Sequence, residues 1–208
     1  MNINIKNICI GIFLFIACNG FTQRAWTNKS PCAESYDPDN IYLGYKIEIF
    51  FLKNNDTIHS NYYWENNPFK NFNDSSKLLI IEQLLSYERD TSLFCGTAGA
   101  HFYGGALSCK CHIDNNIKVP LQIDALYRIN AIAFPNVCWI YSCYPVLYDT
   151  LEKKIINDKP ELVLEVYITY KQWFAECIKK GKIGNYFPFN EGRYVWYGGR
   201  KSFYRKGE

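Results

Sequence analysis

Histidine is scarce in this chain of 208 residues: His59, His101 and His112 are all it has. Imidazole-based general-base chemistry and metal ligation therefore have few places to start. Excess charge is also lacking. The formal net charge is +3, far from the strong basic stripe of a dedicated nucleic-acid binder. No apolar run reaches the roughly 20 residues a membrane-spanning helix needs; the longest, Ile8–Ala17, has ten. A serine set in a glycine elbow is absent too, which removes the usual serine-hydrolase signature. There is no internal repeat and no linker-like stretch.

What is present begins with an address. Met1–Asn7 is a short start carrying Lys6 as its only charge, Ile8–Ala17 is apolar, and Cys18-Asn19-Gly20-Phe21-Thr22-Gln23 follows. A charged start, an apolar middle and a small-residue exit make a secretory signal. Cleavage after Thr22, with Gly20 and Thr22 as the small residues, leaves Gln23 as the N-terminus. A second reading rests on Phe15-Ile16-Ala17-Cys18, which resembles the lipobox of bacterial lipoproteins; Cys18 would then carry diacylglycerol. Phe15 departs from the leucine usual at that position. The Asn-Gly-Phe-Thr-Gln exit and the richness in Asn, Ile and Lys resemble exported proteins of AT-rich Gram-negative bacteria. The sequons at Asn28, Asn55 and Asn73 carry no meaning in such a cell.

Removing 22 of 208 residues leaves a chain of 186, a suitable size for one domain with a real core. Apolar residues make up 48% and charged ones 21%, an ordinary globular composition, but aromatics reach 17% with seventeen tyrosines. Tyrosine joins an apolar body to a polar tip, which suits both half-buried positions and contact surfaces. Of the nine cysteines, Cys9 and Cys18 fall in the first segment. Cys32, Cys95, Cys109, Cys111, Cys138, Cys143 and Cys177 remain, many for an exported chain, and they imply disulfides. An odd number leaves at least one thiol unpaired, or one bridge to a partner. Cys109 and Cys111 are too close to bond to each other and point to one face of a strand. Cys177, in Trp-Phe-Ala-Glu-Cys-Ile, reads as a small buried hydrophobe.

The pattern predicts an α+β fold: one domain over residues 23–208 with an N-terminal β-hairpin, three main helices at about 75–88, 121–134 and 159–180, and short strands. Gln23–Asn40 is polar and reads as a leading loop pinned by Cys32. Ile41–Leu52 is β-branched and aromatic, and Ile58–Trp64 returns as the second arm of the hairpin. Asp74 or Ser75 caps the first helix, whose buried face is Leu78, Ile81, Leu84 and Leu85. Cys95–Gly105 reads as glycine-rich and mobile, followed by a short strand over Ala106–Ile113. Leu121–Phe134 carries only Asp124 and Arg128 as charges, four apart, with apolar residues all round, which marks a central core helix. Cys138–Tyr148 reads as extended. Asp158-Lys159-Pro160-Glu161 opens the last helix, Leu162, Val166, Tyr170, Trp173 and Cys177 stripe it, and Lys179-Lys180-Gly181 closes it.

One cluster has the residue types for chemistry: Cys95, His101, Cys109, Cys111 and His112. Four such ligands close a zinc tetrahedron, the set Cys95, Cys109, Cys111 and His112 above all, yet the spacing matches no zinc module. Structural sulfur is the leading expectation, with no metal and no cofactor. Cys95 paired with His101 or His112 as base would make a thiol nucleophile acting on cell-wall peptides. The close carboxylate pairs Asp37 and Asp39, Asp149 and Glu152, and Glu161 and Glu165 each have a local explanation as turn, loop or cap. In the tail, cations alternate with aromatics; Arg193, Trp196, Tyr197, Arg200 and Lys201 are candidate binding residues. Such interleaving grips polyanions or glycans by charge and stacking, and otherwise forms a solvated end.

These features lead to an exported envelope protein, periplasmic or extracellular, or an outer-membrane lipoprotein if Cys18 is acylated. The expected role is non-enzymatic binding of an envelope protein or glycan, with no nucleic acid, and with membrane contact only through Cys18. The alternative is a small Cys/His hydrolase. The intact mass of the native protein tests the address. Simple cleavage gives a soluble envelope protein beginning at Gln23. Lipidation gives a chain beginning at Cys18 with acyl mass, partitioning into detergent. Retention of Met1 would overturn export.

Overall fold

In the computed structural model, the described residues are 25–32, 44–53, 56–60, 68–98, 113–114 and 116–200. The expected signal segment, Cys18, Asn55, His101, Cys109, Cys111, His112 and Lys201 lie outside them, as does nearly all of the strand expected over Ala106–Ile113.

The α+β architecture is as the pattern implies. Strands β1 (Ala25–Pro31), β2 (Tyr45–Lys53), β3 (Asp56–Ser60), β4 (Leu93–Thr97) and β5 (Lys118–Pro120) form one mixed sheet. Strands β6 (Leu147–Asp149), β7 (Lys154–Ile155) and β8 (Tyr194–Trp196) form a second, antiparallel sheet in the order β7-β6-β8. The helices are α1 (Asp74–Leu85), α2 (Leu121–Ala133), the single turn α3 (Cys138–Tyr141) and α4 (Pro160–Lys180).

The expected hairpin is β2–β3, paired from Ile49↔Ser60 to Lys53↔Asp56. The described part of the expected leading loop, residues 25–32, is instead almost all strand: β1 runs antiparallel to β2 from Ala25↔Phe51 to Pro31↔Tyr45. Its polarity disguised it, because β1 is an edge strand and its outward residues Trp26 and Asn28 face solvent. The free edge is covered at one end by a side chain. Gln83 of α1 accepts the Thr27 N–H at Oε1 (2.7 Å) and donates from Nε2 to the Ala25 carbonyl (3.1 Å). That carboxamide does what a neighbouring strand would do, which protects the edge from pairing with another chain.

Helix α1 starts one residue before expectation. Asn73, rather than Asp74 or Ser75, is the cap, and its Oδ1 accepts the Ser76 N–H at 2.9 Å. Leu78, Ile81, Leu84 and Leu85 are buried as the periodicity implied, and the helix tightens into a 3-10 turn over Ser86–Arg89. Cys95–Thr97, expected to be mobile, belong to strand β4. The segment expected to be extended from Cys138 holds the helical turn α3 before β6 begins at Leu147.

Helix α2 is the centre. All thirteen of its residues are buried, and it packs on α1, β2, β4, β5 and α4. Its first amides are satisfied from outside the helix. Leu121 N–H donates to the Ser92 carbonyl (2.8 Å) and Gln122 N–H to the Asp90 carbonyl (3.0 Å). The two charges foreseen on one side meet: Arg128 Nε donates to Asp124 Oδ2 at 2.7 Å, fully inside the protein. Helix α4 lays Val163, Val166, Tyr167, Tyr170, Trp173 and Cys177 onto this core and ends at Gly181, in the left-handed conformation at φ 63°.

Aromatic rings fill the space between α2, α4 and the second sheet. Tyr170 stacks on Phe189 with centroids 3.5 Å apart, and Phe187 meets Phe134, Tyr141 and Phe189. A buried hydrogen-bond chain crosses this cluster. Trp196 Nε1–H donates to Tyr170 Oη (2.9 Å), and the Tyr170 hydroxyl donates to Asn130 Oδ1 (2.7 Å). Replacing Tyr170 with Phe removes the middle link and leaves two buried polar atoms bare. The expected loss is about 2–4 kcal/mol, read from urea denaturation, with the fold retained. A loss below 0.5 kcal/mol, roughly the scale of a neutral surface change, would show that the chain does not hold α4 to α2.

Candidate functional site

The sequence candidates separate into two regions of the fold. Cys95 lies on β4 and is disulfide-bonded to Cys32, just beyond β1, with Cα atoms 6.1 Å apart. The seam it crosses is tight. β2 and β4 are parallel and share the register pair Tyr45↔Phe94, while Cys32 N–H donates to the Gly44 carbonyl at 3.0 Å. A β-carbon on Gly44 would lie 2.7 Å from the Leu93 carbonyl oxygen and 2.9 Å from the Cys95 nitrogen, so only glycine permits this approach. In this form Cys95 has no thiol, neither nucleophile nor thiolate ligand. Cys143 is disulfide-bonded as well, its partner outside the described residues. Cys177 is a buried thiol whose burial pushes its pKa up, which fits the packing role read from its surroundings. Among the described residues, no three His, Cys, Asp or Glu side chains gather as a metal site. No described helix is long and apolar enough to cross a membrane.

The tail residues are where charge and rings meet. Trp196 is 1% exposed and belongs to the core, so its ring offers no outer face for stacking. Tyr197 is half-buried and lies against Tyr148, centroids 5.6 Å apart. Arg200 is exposed, and its N–H donates to the Ile140 carbonyl. Arg193, directly before β8, is the residue that builds a site.

Its partner is Asp149, at the end of β6. Arg193 Nε lies 3.1 and 3.0 Å from the two Asp149 oxygens, and Nη2 donates to Oδ2 at 2.6 Å. The carboxylate is wholly buried, whereas the arginine side chain is 40% exposed. Asp149 Oδ1 also accepts the N–H groups of Leu151 (2.9 Å) and Glu152 (3.1 Å). The pair Asp149 and Glu152 is thus a turn, as its local reading implied, and not an acid–base couple. The Arg193 hydrogen bonds, aided by those two amides, hold the Asp149 carboxyl down at about 2, and Asp149 in turn raises Arg193. The Arg193 carbonyl closes the turn by accepting both the N–H and the hydroxyl of Thr150.

Beside this pair is a cavity of about 70 Å3 lined by Val166, Thr169, Pro188, Phe189, Gly192, Arg193 and Tyr194. Helix α4 supplies one wall, and the chain entering β8 supplies the other. The guanidinium lies over the Tyr194 ring, 5.1 Å from its centroid. Burial and the neighbouring Glu165 carboxylate push the Tyr194 hydroxyl up. Sequence reasoning found Arg193 as one cation among several. It missed Asp149 as its partner and α4 as its wall, because forty-four residues separate the pair and the local pattern at Asp149 signals only a turn.

The chain matches no protein-family model, no curated protein and no solved structure.

The Asp149–Arg193 pair carries a pH signature. Its carboxyl titrates lower in the folded chain than in the unfolded one, so its stabilisation is complete above the ordinary carboxylate range. It is lost as pH falls from about 4 towards about 2. The wild-type chain is therefore expected to exceed Asp149→Asn in unfolding midpoint at pH 6, with the gap narrowing at pH 2.5. A gap that stays constant across that window would show that the pair does not stabilise the fold.

Proposed function

We propose that this is an exported cell-envelope protein, a non-enzymatic binding or interaction module held by disulfides. The observation that carries this reading is the Cys32–Cys95 bond, supported by the bonded Cys143. Disulfides persist in oxidising compartments, in line with the secretory signal at the N-terminus. The bond also engages the one cysteine that a Cys/His hydrolase would need as nucleophile. The chain's aromatic wealth offers contact surface: Trp26 is 38% exposed and stacks on Phe50 on the outer face of β1–β2, while Tyr45, 39% exposed under the Lys29 ammonium, lies on the opposite face of the sheet. The exposed Trp26–Phe50 stack suits a protein or glycan partner.

Two measurements test the reading. Counting thiols on protein from its native compartment is expected to show at least two disulfides, and six or seven free thiols before reduction would overturn it. Cys95→Ala separates binder from hydrolase. A binder loses stability alone, up to about 4 kcal/mol for opening a 63-residue loop, with no turnover of wall peptides to lose. Measurable hydrolysis by the reduced wild-type chain, abolished in Cys95→Ala, would establish the thiol enzyme instead.

A further inference from the structure

Asp149 occupies only one edge of the Arg193 guanidinium, the edge formed by Nε and Nη2. The other donor edge, Nη1 with the second N–H of Nη2, has no partner among the described residues. An arginine held this way is a rigid, permanently charged fork. Its anchor is itself immobile, because the Asp149 carboxylate is buried and takes two backbone N–H groups. The adjoining cavity of about 70 Å3 far exceeds the roughly 15 Å3 that one water needs. Val166, Pro188 and Phe189 make its apolar side, and Thr169 lines it as well.

An oxyanion fork next to a small apolar pocket fits one chemical class. The geometry points to a carboxylate-binding subsite between α4 and β8, in which Arg193 holds the carboxylate and the cavity takes a short alkyl group. The ligand is a small carboxylic acid or the α-carboxylate of a peptide that ends in a small residue. Electrostatics select the monoanion: Glu165 sits by Tyr194 and Asp149 lies behind Arg193, so a doubly charged phosphate meets two carboxylates. This subsite deepens the binding-module reading and rests on it.

The test is an NMR titration of the full, disulfide-bonded chain with acetate, inorganic phosphate, tri-alanine and tri-alanine amide. Acetate and tri-alanine are expected to shift the amides of Thr169, Gly192, Arg193 and Tyr194, with tri-alanine about tenfold or more tighter than its amide. Arg193→Lys keeps the charge but loses the fork and weakens the acid about tenfold. Should that variant fold poorly, Thr169→Trp, on the exposed side of α4 and outside the ion pair, fills the cavity. It is expected to abolish the shifts while leaving the unfolding midpoint unchanged. Tri-alanine binding tighter than acetate identifies a peptide terminus, and the reverse identifies a free acid. No shift with either carboxylate, equal binding of acid and amide, tighter binding of phosphate, or undiminished binding in a folded Thr169→Trp would each overturn the subsite. Hydrolysis of tri-alanine in the same tube would instead sink the non-enzymatic reading, which loss of the subsite alone would leave standing.

Discussion

Burying helix α2 on every side is the constraint on which the rest of this structure depends. A helix without a wet face must satisfy every polar side chain within the protein or in an internal hydration site. The chain meets part of that demand locally and across the fold. Arg128 answers Asp124 one turn away, the Asn130 side-chain oxygen receives the Tyr170 hydroxyl, and Tyr167 donates to the main-chain carbonyl of Gln122 at 2.7 Å, while the Gln122 carboxamide has no protein partner. Each of these bonds also fixes a neighbour. Two of them seat α4, and through Tyr170 the seating reaches Trp196 and hence the second sheet.

Two asparagines extend the same logic to the loops around the second sheet. Asn157 accepts the Leu147 N–H and donates to the Pro145 carbonyl, tying the turn after β7 to the start of β6. Asn190 accepts the Trp196 N–H and donates to the carbonyls of Tyr141 and Arg200. Short strands of three residues have few ladder bonds of their own, so side-chain amides complete the backbone pairing. With these loops fixed, Arg193 and Asp149 are presented on a rigid frame, the condition under which a cation keeps its direction towards a ligand.

The first sheet is secured by different means. Its helical layer, α1, packs on β1, and Lys29 reaches from β1 to Asp90 Oδ2 (2.7 Å) and Ser92 (2.8 Å). The junction of β2 with β4 is brief, so the Cys32–Cys95 bond and the close approach at Gly44 reinforce the sheet where its ladder is shortest. Sulfur thus serves architecture at Cys95, the leading expectation for these cysteines.

Long, periodic segments were legible in the sequence because their physics is local. The stripe and C-terminal glycine of α4, the apolar circumference of α2 and the buried face of α1 follow from a 3.6-residue repeat and terminal hydrogen bonding, whereas the expected cap at Asp158 gives way to Lys159, whose side chain makes no cap bond. β1 was not legible, since its polar, solvent-facing residues look like a loop until β2 pairs with it. The site was half legible. Residue type marked Arg193 as a cation with aromatic company, but burial decides function there: Trp196 went to the core, Arg200 stayed at the surface, and Arg193 met Asp149 from a distant strand. What the sequence by itself determined was the helices and the fold class, each set by neighbours a few residues apart. Only the tertiary structure decided the sulfur pairing, the edge strand and the Arg193 cavity, because these arise where segments far apart in the chain exclude water together.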